Sequence, residues 1–303
     1  MMPQPWTAEY IVSEHLASKL ISEQFPELIP VNLTLLGEGY DNTVYRVNYQ
    51  YVFRFPRRQI AVELLETEKK ILPFLVPNIP LMIPEPIFFG QPADTYPWPF
   101  LGYRIVNGEV PGQLSKVKRI QAATPLAEFL RALHHFPVAK ARELGVSDDQ
   151  LDRLDILKRK PRLEDFVARI IRLGLWSDHN ELKAYVSSLH YIEYGHRETL
   201  VHGDLHFRNL LIDQHDELVG VIDWGDIHIG HPAVDLSIVY SFLPPEGRQV
   251  FFNIYGEVDD ETKELARFKA IFTTMSLLLY GQDLGDEQLV ETAKDALRYA
   301  LVE

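Results

Sequence analysis

Hydrophobic positions recur at helical spacing over residues 7–25, where Val12, Leu16 and Leu20 form one stripe with Ala17, Ile21 and Phe25 beside it. That is the signature of an amphipathic helix. Three short runs at 31–36, 43–49 and 51–56 are rich in β-branched and aromatic residues, which predicts strands. Residues 60–75 return to helical spacing through Leu64, Leu65, Ile71 and Leu72. Eight prolines from Pro73 to Pro99 then forbid a continuous helix or a central strand, leaving room for short strands at 87–89 and 100–106. Past the turn signals Asn107-Gly108 and Pro111-Gly112 the helical period dominates. Thr124-Pro125 reads as an N-cap followed by Pro at the first helical position, with Leu126, Phe129, Leu130 and Leu133 inward. Further helices are expected around 162–173, 180–190, 233–243, 247–254, 260–280 and 286–301. The pattern therefore divides the chain into a small, mostly β part over 1–105 and a larger, mostly helical part over 106–303.

Composition narrows the class. With 303 residues, 46% of them hydrophobic, the chain supports an ordinary core in one large or two modest domains. The absence of cysteine excludes disulfides and thiolate metal sites and suits a reducing compartment. The N-terminal MMPQPWTAEY has neither a basic n-region nor an apolar h-region. The longest apolar stretch, 270–280, is too short to cross a bilayer and carries two threonines. A cytoplasmic protein with no membrane attachment is expected. Asn32-Leu33-Thr34 has the form of a glycosylation sequon but reads as strand residues. The net charge of −13 argues against nucleic acid, whose binding needs clustered Lys and Arg. Most of the excess acid follows residue 105, where it would steer a cationic small molecule toward a cleft or serve solubility alone. No feature points to a protein partner.

The strongest chemical signal is VHGDLHFRNLLIDQHDELVGVIDWG, residues 201–225. Asp204 and Asn209 have the spacing of a kinase catalytic loop, and Asp223 opens a D-W-G where kinases carry D-F-G. Phosphoryl transfer uses one carboxylate to take the proton of an attacking hydroxyl, and an amide oxygen and a second carboxylate to hold Mg²⁺ on the nucleotide phosphates. The runs 210–213 and 218–222, joined by a polar turn at 214–216, predict a hairpin. Such a hairpin would bring Asn209 and Asp223 together as hard oxygen ligands, which suit Mg²⁺ and not zinc. Two other readings exist. His202, Asp204 and His206 alternate and would share one face as metallohydrolase ligands, although no D-x-H or G-N-H-D/E partner is present. Alternatively Asp204 merely caps a turn.

A nucleotide-binding half precedes this segment. Gly37 and Gly39, in GEGYDNTV, lie between two strand runs, where glycine lets backbone N–H groups approach phosphates; a plain hairpin is the other reading. Val44 on the next strand would cover a purine. Arg54 alternates within the apolar strand VFRF and needs a partner if buried, for which Glu68 on the following helix is the candidate; a snorkelling arginine at the sheet edge is the alternative.

With GEGYDNTVYRV, YVFRFPRR, TEKKIL, FLGYRIVNGE, LAEFLRALHHF, VHGDLHFRNLLID, GVIDWGD and HPAVDLS, the chain resembles the aminoglycoside phosphotransferase family of small-molecule kinases nearly end to end. Its FRFPRR run is nearer the 2″-aminoglycoside and macrolide type. The resemblance implies an α+β, bilobal protein-kinase-like fold with a small antiparallel-sheet N-lobe and a larger, mostly helical C-lobe. It implies Asp204 as catalytic base and Asn209 and Asp223 as Mg²⁺ ligands. Gly37, Gly39, Asn42, Val44, Arg54 and Glu68 would surround ATP or GTP, and Asp235 would brace the catalytic loop. Two residues depart from the pattern: Arg54 stands for the strand lysine, and Asn42 for the third loop glycine. The implied reaction moves the γ-phosphate to a hydroxyl of a small, cationic, aminoglycoside-type acceptor. A macrolide, a choline-like alcohol or a sugar metabolite would use the same core. Asp226, Glu109 and 283–287 are the acidic candidates for the acceptor pocket. The Arg54 and Asn42 departures also admit a catalytically weak nucleotide-binding regulator.

Overall fold

A computed structural model describes residues 8–39, 41–193, 195 and 197–302. Helix α1, Glu14–Gln24, starts later than its apolar spacing suggests. Ser13 is extended and its Oγ accepts from the Leu16 N–H, which fixes the first turn there. Five antiparallel strands follow: β1 (Leu33–Glu38), β2 (Asn42–Val47), β3 (Tyr51–Pro56), β4 (Glu85–Gly90) and β5 (Phe100–Arg104), in the order β1-β2-β3-β5-β4. Helix α2, Gln59–Leu75, connects β3 to β4 and keeps Pro73 in its last turn.

Alternation along β3 sends Phe53 and Phe55 to one face and Arg54 to the other. On the first face the two rings join Phe100, with Phe55 and Phe100 stacked at 4.7 Å, and Ala17, Leu20 and Ile21 of α1 complete the cluster. Each buried ring there contributes about 2–3 kcal/mol. On the other face Leu65, Ile71 and Leu72 of α2 meet Leu101 and Tyr103 in the main core.

The rest of the described chain is mostly helical. Helices α3 (Lys116–Gln121), α4 (Ala123–His134), α5 (Val138–Glu143), α6 (Ile156–Arg172) and α7 (His179–Ser188) precede four short strands. These strands are β6 (Thr199–Val201), β7 (Leu210–Ile212), β8 (Leu218–Val221) and β9 (His228–Gly230). Helices α8 (Ala233–Phe242), α9 (Pro245–Tyr255), α10 (Asp260–Leu284) and α11 (Glu287–Leu301) close the fold. Every residue of α8 is buried. The expected α+β arrangement of a sheet lobe followed by a helical lobe is what the structure shows.

Thr124 is not an N-cap. Helix α4 begins at Ala123 directly off the end of α3, with Ala122 at the cap position and no side-chain cap bond. Pro125 falls within the first turn, where its missing N–H costs nothing. Among the described residues no helix is long and apolar enough to cross a membrane.

The hairpin of β7 and β8 forms as its turn predicts. It is clasped on both edges. Met82 exchanges backbone hydrogen bonds with Val219 and Val221 at 2.9 Å, and Glu109 pairs both ways with Ile212 at 2.9 Å. The segments flanking β4 and β5 are thereby tied to the hairpin that carries the site.

Candidate active site

The catalytic loop hangs between β6 and the single helical turn at 207–209, and its shape is set by Gly203. This glycine has φ +88°, and a Cβ there would lie 2.1 Å from the Asp226 carbonyl oxygen. Only glycine tolerates both conditions. Asp235, fully buried in the first turn of α8, accepts the N–H groups of His202 at 2.7 Å and Gly203 at 2.9 Å. Its other neighbour is His134, 3.3 Å away, whose Nδ1 lies 2.7 Å from the Tyr255 hydroxyl. Burial alone would raise the Asp235 carboxyl. The hydrogen bond and charge of His134, with His202 and the Gly203 N–H, outweigh it and hold Asp235 below the usual range. Asp235 thus holds backbone groups, as expected. His202 is spent on the loop itself, with Nε2 3.0 Å from the Ile222 carbonyl and its ring 4.8 Å from that of Trp224. It does not share a ligand face with Asp204 and His206.

Asp204 is surrounded by protein, yet 38% of its side-chain surface stays open. His206 Nε2 lies 3.4 Å from its Oδ2. Burial pushes its pKa up, but the His206 hydrogen bond and charge, helped by Lys269 and His202, hold it well below the carboxylate range. It is therefore an open anion beside the loop.

Asn209 gives its Nδ2 to the Asp204 carbonyl at 2.8 Å, which leaves Oδ1 as a free acceptor. The Ile222 N–H donates to the Asn209 carbonyl at 2.9 Å, so the open end of the hairpin places Asp223 beside Asn209. Asp223 takes a left-handed backbone, φ +67°, and its side chain is 58% exposed. An amide oxygen and an exposed carboxylate at one hairpin mouth are a donor set that fits Mg²⁺.

The sheet lobe reaches the same point through Arg54. Its Nη1 donates to both Glu68 oxygens, at 2.9 and 3.0 Å, and its Nη2 lies 3.6 Å from Asp223 Oδ1. The Tyr103 hydroxyl donates to Glu68 at 3.0 Å. Only 17% of the Arg54 side chain is exposed, so it is not a snorkelling edge residue. Burial pushes the Glu68 carboxyl up while Arg54 and Tyr103 push back. The pair is ionic, because a guanidinium does not surrender its proton. Val44 stands opposite Arg54 in the β2–β3 register.

Around the glycine loop, Gly37 lies at a register irregularity of β1, and a Cβ there would meet nothing within 4 Å. At Gly39 the Cβ would meet only the Asn42 carbonyl at 3.8 Å. The loop backbone is thus open to an approaching ligand. Arg57 holds the Gly39 carbonyl at 3.0 Å, a contact not foreseen. Asn42 keeps a buried Oδ1 without a partner. Tyr40 lies outside the described residues.

The acidic residues considered for an acceptor are mostly engaged. Asp226 pairs with Arg153, Asp283 pairs with Arg169, and Asp286 caps α11 through the Leu289 N–H at 2.9 Å. Within 283–287, Glu287 simply lies in the exposed first turn of α11. Glu109 contributes its backbone to the hairpin. Sequence reasoning named His206 only as a possible metal ligand and did not foresee it, or Lys269, as a positive neighbour of Asp204. A half-polar stripe within the 260–280 helix was the signal for the second.

The model of the Phosphotransferase enzyme family matches residues 32–269. A solved GDP complex of wild-type aminoglycoside 2′-phosphotransferase-IIIa is 27% identical over 95% of this chain and 98% of its own, with TM-score 0.65. The GDP and kanamycin complex of APH(2″)-IIIa is 27% identical over 94% and 97%, with TM-score 0.64. Viomycin phosphotransferase of Streptomyces vinaceus is 36% identical over 94 residues. That match spans 29% of this chain and 32% of the Streptomyces enzyme. A bilobal, kinase-like architecture is shared with these structures over nearly the whole chain. With its family model covering both the glycine loop and the catalytic hairpin, the chain belongs to the phosphotransferase enzyme family.

Proposed function

We propose that this protein is a Mg²⁺-dependent phosphotransferase that moves the γ-phosphate of ATP or GTP to a hydroxyl of a small molecule, with aminoglycoside-type antibiotics the leading acceptor class. One observation carries the reading: Arg54 joins Glu68 in the sheet lobe to Asp223 just past the β7–β8 hairpin, whose other end begins at Asn209, bonded to the Asp204 carbonyl of the preceding loop.

In this reading Asp204 accepts a hydrogen bond from the acceptor hydroxyl and takes its proton as the phosphorus–oxygen bond forms. Its depressed pKa keeps it ionised for that task. His206, 3.4 Å away, steadies the carboxylate. Asn209 Oδ1 and Asp223 would hold the metal ion, which supplies charge neutralisation on the phosphates. Arg54, fixed by Glu68, aligns the triphosphate; Gly37, Gly39 and Asn42 approach it through backbone, and Val44 covers the base. The functional division falls at residues 105 and 106, with the nucleotide lobe before it and the acceptor lobe after it. The aminoglycoside assignment rests on the relatives' own ligands, kanamycin among them.

The test is a panel of aminoglycosides, macrolides and small amino alcohols, each assayed with ATP and with GTP. At least one acceptor is expected to give Mg²⁺-dependent phosphorylation, and Asp204→Ala is expected to slow it about 10²–10⁴-fold. Unchanged turnover in Asp204→Ala would overturn the assignment.

A further inference from the structure

Because α1 starts only at Glu14, residues 9–12 are free of helix, and they lie along the sheet lobe. The Glu9 and Tyr10 N–H groups both donate to the Arg57 carbonyl, at 2.8 and 3.1 Å. Glu9 Oε1 accepts the Gln59 N–H at 3.2 Å. Gln59 opens α2, and Arg58 at the cap position makes no side-chain cap bond. A carboxylate from far off in the sequence thus takes an N–H that the helix cannot satisfy, at the end where its dipole favours negative charge. The Tyr10 ring packs edge-on against Trp98 at 4.8 Å, and Trp98 Nε1 donates to the Gln59 side chain at 3.1 Å. Val12 pins the other end: it is buried, and its carbonyl accepts the Tyr45 hydroxyl of β2 at 2.9 Å.

Arg57 is where this strap meets the glycine loop. Its carbonyl serves the strap, while its N–H donates to the Asp41 carbonyl at 2.7 Å and its Nη1 to the Gly39 carbonyl at 3.0 Å. Arg58 adds an ion pair to Asp41 at 3.5 Å. A second route runs through α2. Gln59 fixes the start of the helix whose buried Glu68 takes two bonds from Arg54. One short segment therefore reaches both the glycine loop and the Arg54–Glu68 pair, through backbone hydrogen bonds, one carboxylate and one ring contact.

We propose that Glu9 and Tyr10 are positioning residues for the nucleotide: through Arg57 they set the glycine loop, and through Gln59 the start of α2. The inference rests on the phosphotransferase reading, which puts the triphosphate between that loop and Arg54. Losing a cap of this kind weakens the equilibrium it supports about fivefold. The loss falls on nucleotide affinity, because both routes end in the sheet lobe. Ser13 offers the contrast. It caps α1 through the Leu16 N–H at 3.3 Å, and α1 packs on the Phe53 and Phe55 face of the sheet, opposite Arg54.

The test uses the full chain with Mg²⁺ and the β,γ-imido analogues of ATP and GTP, titrated by calorimetry. Glu9→Ala and Tyr10→Ala are each expected to raise the Kd of the tighter analogue about fivefold. Glu9→Gln is expected to bind as the wild type does, since its amide oxygen still accepts from Gln59. Ser13→Ala loses a comparable cap and is expected to leave the Kd unchanged. Amide hydrogen exchange at Gly39 and Gln59 is expected to quicken in Glu9→Ala and not in Ser13→Ala, with melting curves confirming that each variant folds. Unchanged affinity in both Glu9→Ala and Tyr10→Ala, or an equal loss in Ser13→Ala, would overturn the proposal. Nucleotide binding that is intact in the wild type and indifferent to Glu9 and Tyr10 removes only the positioning role. A wild type that binds neither analogue removes the phosphotransferase reading, and the positioning role with it.

Discussion

At Gly203 a single hydrogen in place of a methyl group decides the shape of the catalytic loop. A Cβ there would lie 2.1 Å from the Asp226 carbonyl oxygen and 2.7 Å from His228 Nδ1, and φ is +88°. Neither neighbour is the end of a flexible chain, so the loop itself must move. Gly203→Ala is expected to lower turnover sharply and to cost about 1–3 kcal/mol of stability, read from activity and urea unfolding on the same sample. An alanine variant with native activity would show that Asp204 does not depend on this backbone. Glu68 makes the opposite kind of demand. It is buried, takes two bonds from Arg54 and one from Tyr103, and its removal leaves the buried guanidinium with only the exposed Asp223 carboxylate, 3.6 Å away. Glu68→Ala is expected to destabilise by about 3–5 kcal/mol, and Glu68→Gln by less because the amide oxygen still accepts. Equal unfolding midpoints for wild type and Glu68→Ala would mean that Arg54 finds another partner.

Between β9 and α8 the chain buries His231, whose pKa burial and the nearby Arg197 charge lower to about 4. A histidine whose folded pKa is depressed stabilises the fold above its unfolded pKa, about 6.5. That contribution is lost as pH falls from there through about 4. The melting temperature is expected to decline over this window, and His231→Gln to flatten the decline; an identical slope in the variant would place the effect elsewhere. Elements of this size also mark how far pattern reading reached. The hairpin of β7 and β8 was legible because a polar turn separated two apolar runs, and α2, α8 and α10 because their apolar spacing runs long. Helices α3 and α5, six residues each, are too short for a period to emerge. Strand β9 has three residues and exists through its pairing with β6, a partner distant in sequence. The Thr124-Pro125 signal misled because α3 feeds directly into α4, which leaves no loop to cap. Asp204, Asn209 and Asp223 could be singled out because one short loop and the hairpin after it set their spacing locally. Lys269 could not, since its meaning depends on which loop α10 faces.

Across the whole molecule the two lobes meet where charge is concentrated. Arg54 from the sheet approaches Asp223 from the hairpin at 3.6 Å, and the chain as a whole carries a net charge of −13. Triphosphate adds further negative charge to this junction, so binding in the proposed manner requires a cation beyond Arg54. Asn209 Oδ1 and Asp223 are the oxygens that would hold it. Mg²⁺ and nucleotide should therefore stabilise the fold together more than the sum of each alone. At a hundredfold excess over Kd a ligand that binds only the folded state adds about 2.7 kcal/mol, or roughly 5 °C for a chain of this size. Asp223→Asn keeps the side-chain volume and removes the charge. It is expected to abolish most of the Mg²⁺-dependent part of the shift while leaving the metal-free nucleotide shift nearly intact, because Arg54 remains paired with Glu68. Thermal melts with ATP and GTP, each with Mg²⁺ or with a chelator, separate the two contributions. A variant whose shift keeps its full Mg²⁺ dependence would move the metal away from the hairpin mouth, and with it the point at which the lobes act together.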